Sequence, residues 1–260
     1  LGAGAALGVN TPAHAAGLEV IEHQTYGRME YYKVSTPSIA WKPRVNVLLP
    51  DGYDSGRRYP VLYLLHGGAQ NFMKFDKEDD IRGLTAGRDL IVVMPDGGIA
   101  GWYCNPVTAN LGPRNWETFH IEELIPWVDA TFRTFPEQAG RAVSGFSMGG
   151  FGALKYTAKY SSYFASVSCH SGPANLRGSY GQAVVQWANS SSSADLAGGC
   201  VYGSDETRIK ADNPVDCVEK YKDKRIFLFS GTDSKNSHER CIVHTHREFR
   251  ETLHKHGIKH

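Results

Sequence analysis

The sequence has no excess of charge of either sign. Its 28 Lys and Arg stand against 27 Asp and Glu in 260 residues, a formal net charge of +1, and the basic residues are spread along the chain. A nucleic-acid partner and an electrostatic membrane-surface role therefore have no footing. Long apolar runs are missing too: no stretch reaches the roughly twenty apolar residues of a membrane-spanning helix, so no membrane span is expected. Cysteine is sparse. Cys104, Cys169, Cys200, Cys217 and Cys241 include no C-x-x-C pair and match no zinc spacing, so neither a metal nor a cofactor is expected. Internal repeats and long linkers are also absent, and the length suits one sizeable core.

The chain opens with small and apolar residues. Leu1-Gly-Ala-Gly-Ala-Ala-Leu-Gly-Val9 leads to Ala13-His14-Ala15, a small-x-small pattern of the signal-peptidase kind. Residues 1–15 are expected to be a signal-peptide remnant or leader, and residues 16–260 a single catalytic domain of a secreted protein. In an exported chain five cysteines predict one or two disulfides, sought first among Cys200, Cys217 and Cys241 in the last third.

Strand-like and helix-like runs alternate, which predicts an α/β fold: a mostly parallel central sheet with helices on both faces. Val61-Leu-Tyr-Leu-Leu65 and Leu90-Ile-Val-Val-Met94 are continuous apolar runs, as strands buried on both faces require. Arg44–Leu49, Arg141–Ser144, Phe164–Ser168 and Arg225–Phe229 read as further strands. Helices are predicted over 117–132, 148–160 and 238–256. Residues 175–212, with Ser190-Ser-Ser-Ser193 and Gly198-Gly199, read as a loop-rich excursion.

The chemistry is concentrated at Gly145-Phe146-Ser147-Met148-Gly149-Gly150. A G-x-S-x-G between a strand and a helix is the setting of a nucleophile elbow. The serine needs a tight strained turn, and side chains flanking it would strike the strand and helix, hence the glycines. Such a turn exposes Ser147 Oγ and sets the Met148 N–H beside the carbonyl under attack. His66-Gly67-Gly68 follows a buried strand, where Gly68 N–H is expected to be the second oxyanion donor; His66 is expected to be structural. The triad acid is sought at the end of a later strand, and Phe229-Ser230-Gly231-Thr232-Asp233 supplies Asp233. Glu239 is the reserve, with Asp205 and Asp212 weaker. Trp102, Tyr103 and Asn105 follow a strand end and are candidates for the substrate pocket, with plain core packing as the alternative.

The base is harder to place. His238, His244, His246, His254 and His256 fall on the last predicted helix, where their spacing suggests solvated or packing roles. The catalytic histidine is expected beyond the chain end, in a domain continuing past residue 260, with His260 as the fallback.

With these elements assembled, the chain from about Tyr26 onward resembles the esterase D and feruloyl-esterase branch of the α/β-hydrolases. That group includes S-formylglutathione hydrolases, tributyrin-type esterases and the secreted antigen 85 mycolyltransferases. The marks are Leu49-Pro-Asp-Gly-Tyr53, Tyr59-Pro-Val-Leu-Tyr-Leu-Leu-His-Gly67, Val93-Met-Pro-Asp-Gly-Gly98, Gly101-Trp-Tyr103, Trp116-Glu-Thr-Phe119, Glu123-Leu-Ile-Pro126 and the Ser147 run through Ala153. The resemblance implies hydrolysis of a carboxylic ester or acyl transfer through Ser147. The Val93–Gly98 run and Asp212-Asn213-Pro214 lean toward the antigen 85-like subgroup, but Ala69-Gln70 lacks that subgroup's basic residue after the oxyanion loop. The expected partner is a small-molecule, lipid or sugar ester with a small-to-medium acyl group. An acyltransferase of the mycolyltransferase type and a non-catalytic secreted binding protein on the same scaffold are the rival readings.

Overall fold

The computed structural model describes residues 17–232 and 235–260. The expected leader and Asp233 lie outside the described residues. Among the described residues the strands are β1 (Glu19–Tyr26), β2 (Met29–Ser35), β3 (Arg44–Leu48), β4 (Val61–Leu65), β5 (Ile91–Pro95), β6 (Arg141–Phe146), β7 (Ser166–His170) and β8 (Arg225–Phe229). They form one sheet in the order β1-β2-β3-β5-β4-β6-β7-β8. The first three pair antiparallel, and β5 through β8 run parallel. This is the mostly parallel α/β sheet that the alternating periodicity predicts.

The helices in chain order are α1 (Lys74–Lys77), α2 (Ile81–Leu84), α3 (Trp116–Thr118), α4 (Ile125–Thr131), α5 (Met148–Lys159), α6 (Gly178–Asp195), α7 (Glu206–Asp212) and α8 (Ser237–Lys255). A π-helical stretch, Phe119–Leu124, joins α3 to α4. The larger core lies between the sheet and α3 to α8, where Trp116, Phe119, Phe151, Phe164 and Phe249 are fully buried. A smaller cluster of Met29, Leu48, Leu64, Phe75, Ile81, Val92 and Met94 lies under α1 and α2.

Parallel register aligns the carboxyl ends of the central strands, with Leu65 opposite Gly145, Gly145 opposite Cys169, and His170 opposite Phe229. Turns leaving those ends therefore meet above one edge of the sheet, where ligands bind in folds of this class.

Three expectations need correction. The stretch 175–212 is largely helical, with α6 running for 18 residues. Gly181, Val184, Ala188 and Ser192 recur on its buried face. The serine run is helical all the same, with the Ser190, Ser191 and Ser192 hydroxyls satisfied by donating back to the carbonyls of Trp187, Ala188 and Asn189. Second, all five cysteines are free thiols. Cys200 Sγ lies against Thr108 Oγ1, Cys217 Sγ against the Lys210 and Ala211 carbonyls, and Cys241 is carried away on α8, so the pairing sought among them is not formed. Third, two strands precede the first one anticipated. β1 is exposed along its whole length and carries no apolar face from which to read it.

Candidate active site

Ser147 occupies the single residue between β6 and α5, at φ 52° and ψ −117°. A non-glycine residue there carries about 1–3 kcal/mol of backbone strain and persists only where its surroundings over-determine it. Those surroundings are tight. A Cβ on Gly145 would stand 2.1 Å from Gly149 O, and one on Gly149 would stand 2.1 Å from Leu65 O. The start of α5 is thus pressed onto the end of β4. Ser147 N–H donates to His170 O at 2.7 Å, tying the turn to β7. Its side chain is half-buried, with no hydrogen-bond partner among the described residues. The first N–H groups of α5 have no intrahelical acceptor and carry the positive end of the helix dipole.

The turn after β4 faces this helix start. Gly67 N–H donates to Gln70 Oε1 at 2.9 Å and Ala69 N–H to Ile99 O at 2.8 Å. Gly68 N–H, between them, has no acceptor among the described residues. Met148 N–H, at the first position of α5, likewise has no acceptor among the described residues. Two unpaired backbone donors beside a strained serine can hold an oxygen that acquires negative charge. His66 does not face this space. Its Nε2 accepts Gly97 N–H at 2.9 Å, which places the ring proton on Nδ1 toward Gly67 O at 2.8 Å.

The remaining sequence candidates scatter. Asp233 lies outside the described residues; Glu239, in the first turn of α8, accepts the Ser171 hydroxyl at 3.0 Å and the Gly231 N–H. Asp205 caps α7, and Asp212 is buried beside Lys155 and Lys159. Trp102 and Tyr103 are 2% and 0% exposed, and Asn105 is spent on the Thr118 hydroxyl and N–H. Trp102 and Tyr103 pack behind the elbow, against Met148 and Gly152, and a ligand would not touch Tyr103.

None of the described histidines touches Ser147 Oγ. His238 stacks on Trp187, His244 on Tyr180, and His246 Nε2 meets Gly172 O. The fallback His260 is corrected by its location. It lies with Lys222 to Phe227 beside the amino end of β8, whereas Ser147 follows the carboxyl end of β6. The parallel strands put these at opposite ends of the sheet.

The family model described as putative esterase matches residues 36–260. The chain belongs to that esterase family. It is 55% identical over 260 residues to Esterase Rv1288 of Mycobacterium tuberculosis (strain ATCC 25618 / H37Rv), covering 94% of this chain and 56% of that relative, so it spans little more than half the relative's length. Among solved structures it is similar to Mycobacterium tuberculosis MPT51, with TM-score 0.70 and 18% identity over 92% of this chain and 87% of the other. It is also similar to the Staphylococcus aureus fluorophosphonate-binding serine hydrolase F, with TM-score 0.70 and 18% identity over 89% and 87%. A ferulic acid esterase of Anaeromyces mucronatus gives TM-score 0.59 and 19% identity over 92% and 82%. These three likenesses establish the shared fold.

Some residues packed behind the site were not anticipated from sequence. His120, in the π-helical stretch, bridges Tyr156 OH at 2.9 Å and Asp96 O at 2.8 Å. Burial lowers its pKa from 6.5 to about 4, so it stays neutral, accepting from Tyr156 through Nδ1 and donating to Asp96 O. The unfolded chain binds a proton at this residue near pH 6.5 and the folded one does not. Its contribution is therefore present above about 6.5 and is lost as pH falls toward 4, about 3 kcal/mol in all. Chemical denaturation of wild type and His120→Gln between pH 7 and pH 4 should show a flatter stability profile in the variant. Equal slopes would rule this out.

Proposed function

We propose that this chain is the catalytic part of a serine carboxylic-ester hydrolase working through an acyl-enzyme. One observation carries the reading: Ser147 is held in a strained turn beside the unpaired N–H groups of Gly68 and Met148. In this reading Ser147 Oγ attacks the ester carbonyl, and Gly68 and Met148 N–H receive the oxyanion. The alcohol leaves and water then releases the acid. Asp233 is proposed as the acid on its position just past β8, because Glu239 is already committed to Gly231 and Ser171. With every described histidine turned elsewhere, the base is proposed to come from outside the described residues.

A small-to-medium acyl group is proposed as the substrate's acid part. In support, α6 exposes Gln182, Gln186 and Ser190, which offer no apolar channel to a very long chain. The test is release of p-nitrophenol from esters of increasing chain length by the intact protein. The expected profile peaks at two to four carbons (about that length) and falls beyond eight (roughly). A rate that rises only when an acceptor alcohol is added would replace hydrolysis with acyl transfer.

A further inference from the structure

Behind the elbow lies a charge cluster that ester hydrolysis through Ser147 does not use. Lys155, just over two helical turns along α5 from Ser147, is fully buried. Its Nζ donates to Glu117 Oε2 at 2.5 Å and to Tyr103 O at 2.9 Å, and stands 3.2 Å from Cys104 Sγ and 3.3 Å from Asp212 Oδ2. Lys159 reaches the other oxygens of the same carboxylates, at 2.8 Å and 3.1 Å. Burial alone would raise the Glu117 carboxyl, but Lys155, Lys159 and Tyr160 bring it down to about 2. Two lysines thus face two carboxylates across the cluster.

Stability alone is a poor account of such a cluster, because well-packed apolar residues of similar volume commonly do as well or better. Its one backbone acceptor for Lys155 points to another role. Trp102 and Tyr103 are consecutive non-glycine residues at φ 51° and 55°, a conformation that needs external support. Lys155 holds the Tyr103 carbonyl. The Tyr103 ring fills space that a Cβ on Gly97 or Gly152 would invade. Its hydroxyl donates to His66 O at 2.9 Å, one peptide before Gly67-Gly68. On the other side, Trp102 N–H meets Met148 Sδ at 3.3 Å. The strained pair thus touches both carriers of the candidate oxyanion donors.

We propose that Lys155 is a positioning residue. It fixes the left-handed Trp102–Tyr103 pair, and Tyr103 in turn sets the His66 carbonyl and the direction of Gly68 N–H. The proposal rests on the reading of Ser147 as nucleophile. Lys155→Met alone strands two buried carboxylates, so the decisive variant is the triple Lys155→Met, Glu117→Gln, Asp212→Asn, which leaves no buried charge and only the partly exposed Lys159 to be solvated, with Tyr103→Phe as a milder companion that removes only one hydroxyl.

With p-nitrophenyl acetate and the intact protein, the triple variant should lose about tenfold to a hundredfold in kcat, since a donor displaced by about 1 Å costs on that order. KM should stay within about twofold and the pH profile of kcat/KM should keep its shape, because no titrating group of the reaction is removed. Tyr103→Phe should show the same split, smaller. A crystal structure of the triple variant should show Trp102–Tyr103 relaxed out of the left-handed region. Wild-type kcat in a cooperatively melting triple variant, or in Tyr103→Phe should the triple not fold, would overturn the proposal, as would a loss confined to KM. Wild-type protein no faster than Ser147→Ala would instead overturn the nucleophile reading and take this proposal with it.

Discussion

Ser147→Ala should lower kcat for p-nitrophenyl ester hydrolysis by about ten-thousandfold or more, while the melting temperature stays within about a degree of wild type. The size of the first effect follows from removing the atom that bonds to the acyl group. What survives is the binding and oxyanion contribution, which leaves enzymes of this type a small residual rate. The second effect follows from the backbone, because alanine at φ 52° bears the same strain as serine. Ser147→Gly separates the two. It should be as inactive as the alanine variant yet more stable by about 1 kcal/mol, raising the melting temperature by about 2–4 °C, because glycine adopts that conformation without a Cβ penalty. Turnover retained in Ser147→Ala would remove the serine-hydrolase proposal. A glycine variant no more stable than wild type would show that the strain read from the turn is not stored there.

The legible parts of this protein are those in which local chemistry and tertiary role coincide. Val61–Leu65 and Ile91–Pro95 are apolar on both faces because helices cover both, and a continuous apolar run states that directly. Gly145 and Gly149 are glycines because backbone atoms lie where their Cβ would be, and the G-x-S-x-G pattern carries that constraint into the sequence. α6 was hidden because its buried stripe of Gly181, Val184, Ala188 and Ser192 holds only one sizeable apolar side chain, while glycine and serine elsewhere mark loops. The buried cluster was hidden for a different reason. Lys155, Glu117 and Asp212 come from three elements, and only tertiary packing makes them neighbours. The one local signal was a lysine inside Phe151-Gly-Ala-Leu-Lys-Tyr-Thr-Ala158, a helix segment otherwise uncharged and wholly buried. Trp102 and Tyr103 looked like pocket residues because they follow a strand end. Their left-handed backbone, invisible in sequence, turns both side chains inward.

Gly149→Ala should destabilise the protein by about 3–5 kcal/mol, the range of severe steric lesions, which lowers the melting temperature of a chain this size by about 10 °C. The added Cβ would stand 2.1 Å from Leu65 O, 2.6 Å from Leu65 C and 2.7 Å from His66 O. All are backbone atoms in the last paired residue of β4 and the peptide after it, so no side chain can rotate away. Either α5 lifts from the sheet or the end of β4 gives way, and both movements separate Met148 N–H from Gly68 N–H. Activity of the folded fraction should therefore fall along with stability, a coupling that a lesion remote from the site would lack. Gly178→Ala is the contrasting control. That glycine has a positive φ, at 69°, which the helical Gly149 lacks, and nothing lies within 4 Å of its Cβ position. It should cost only the conformational penalty of about 1 kcal/mol and leave kcat unchanged. Equal losses at the two positions would mean that the close approach of α5 to β4 costs no more than an ordinary backbone penalty, and that the space glycine leaves at the elbow is not what holds it together.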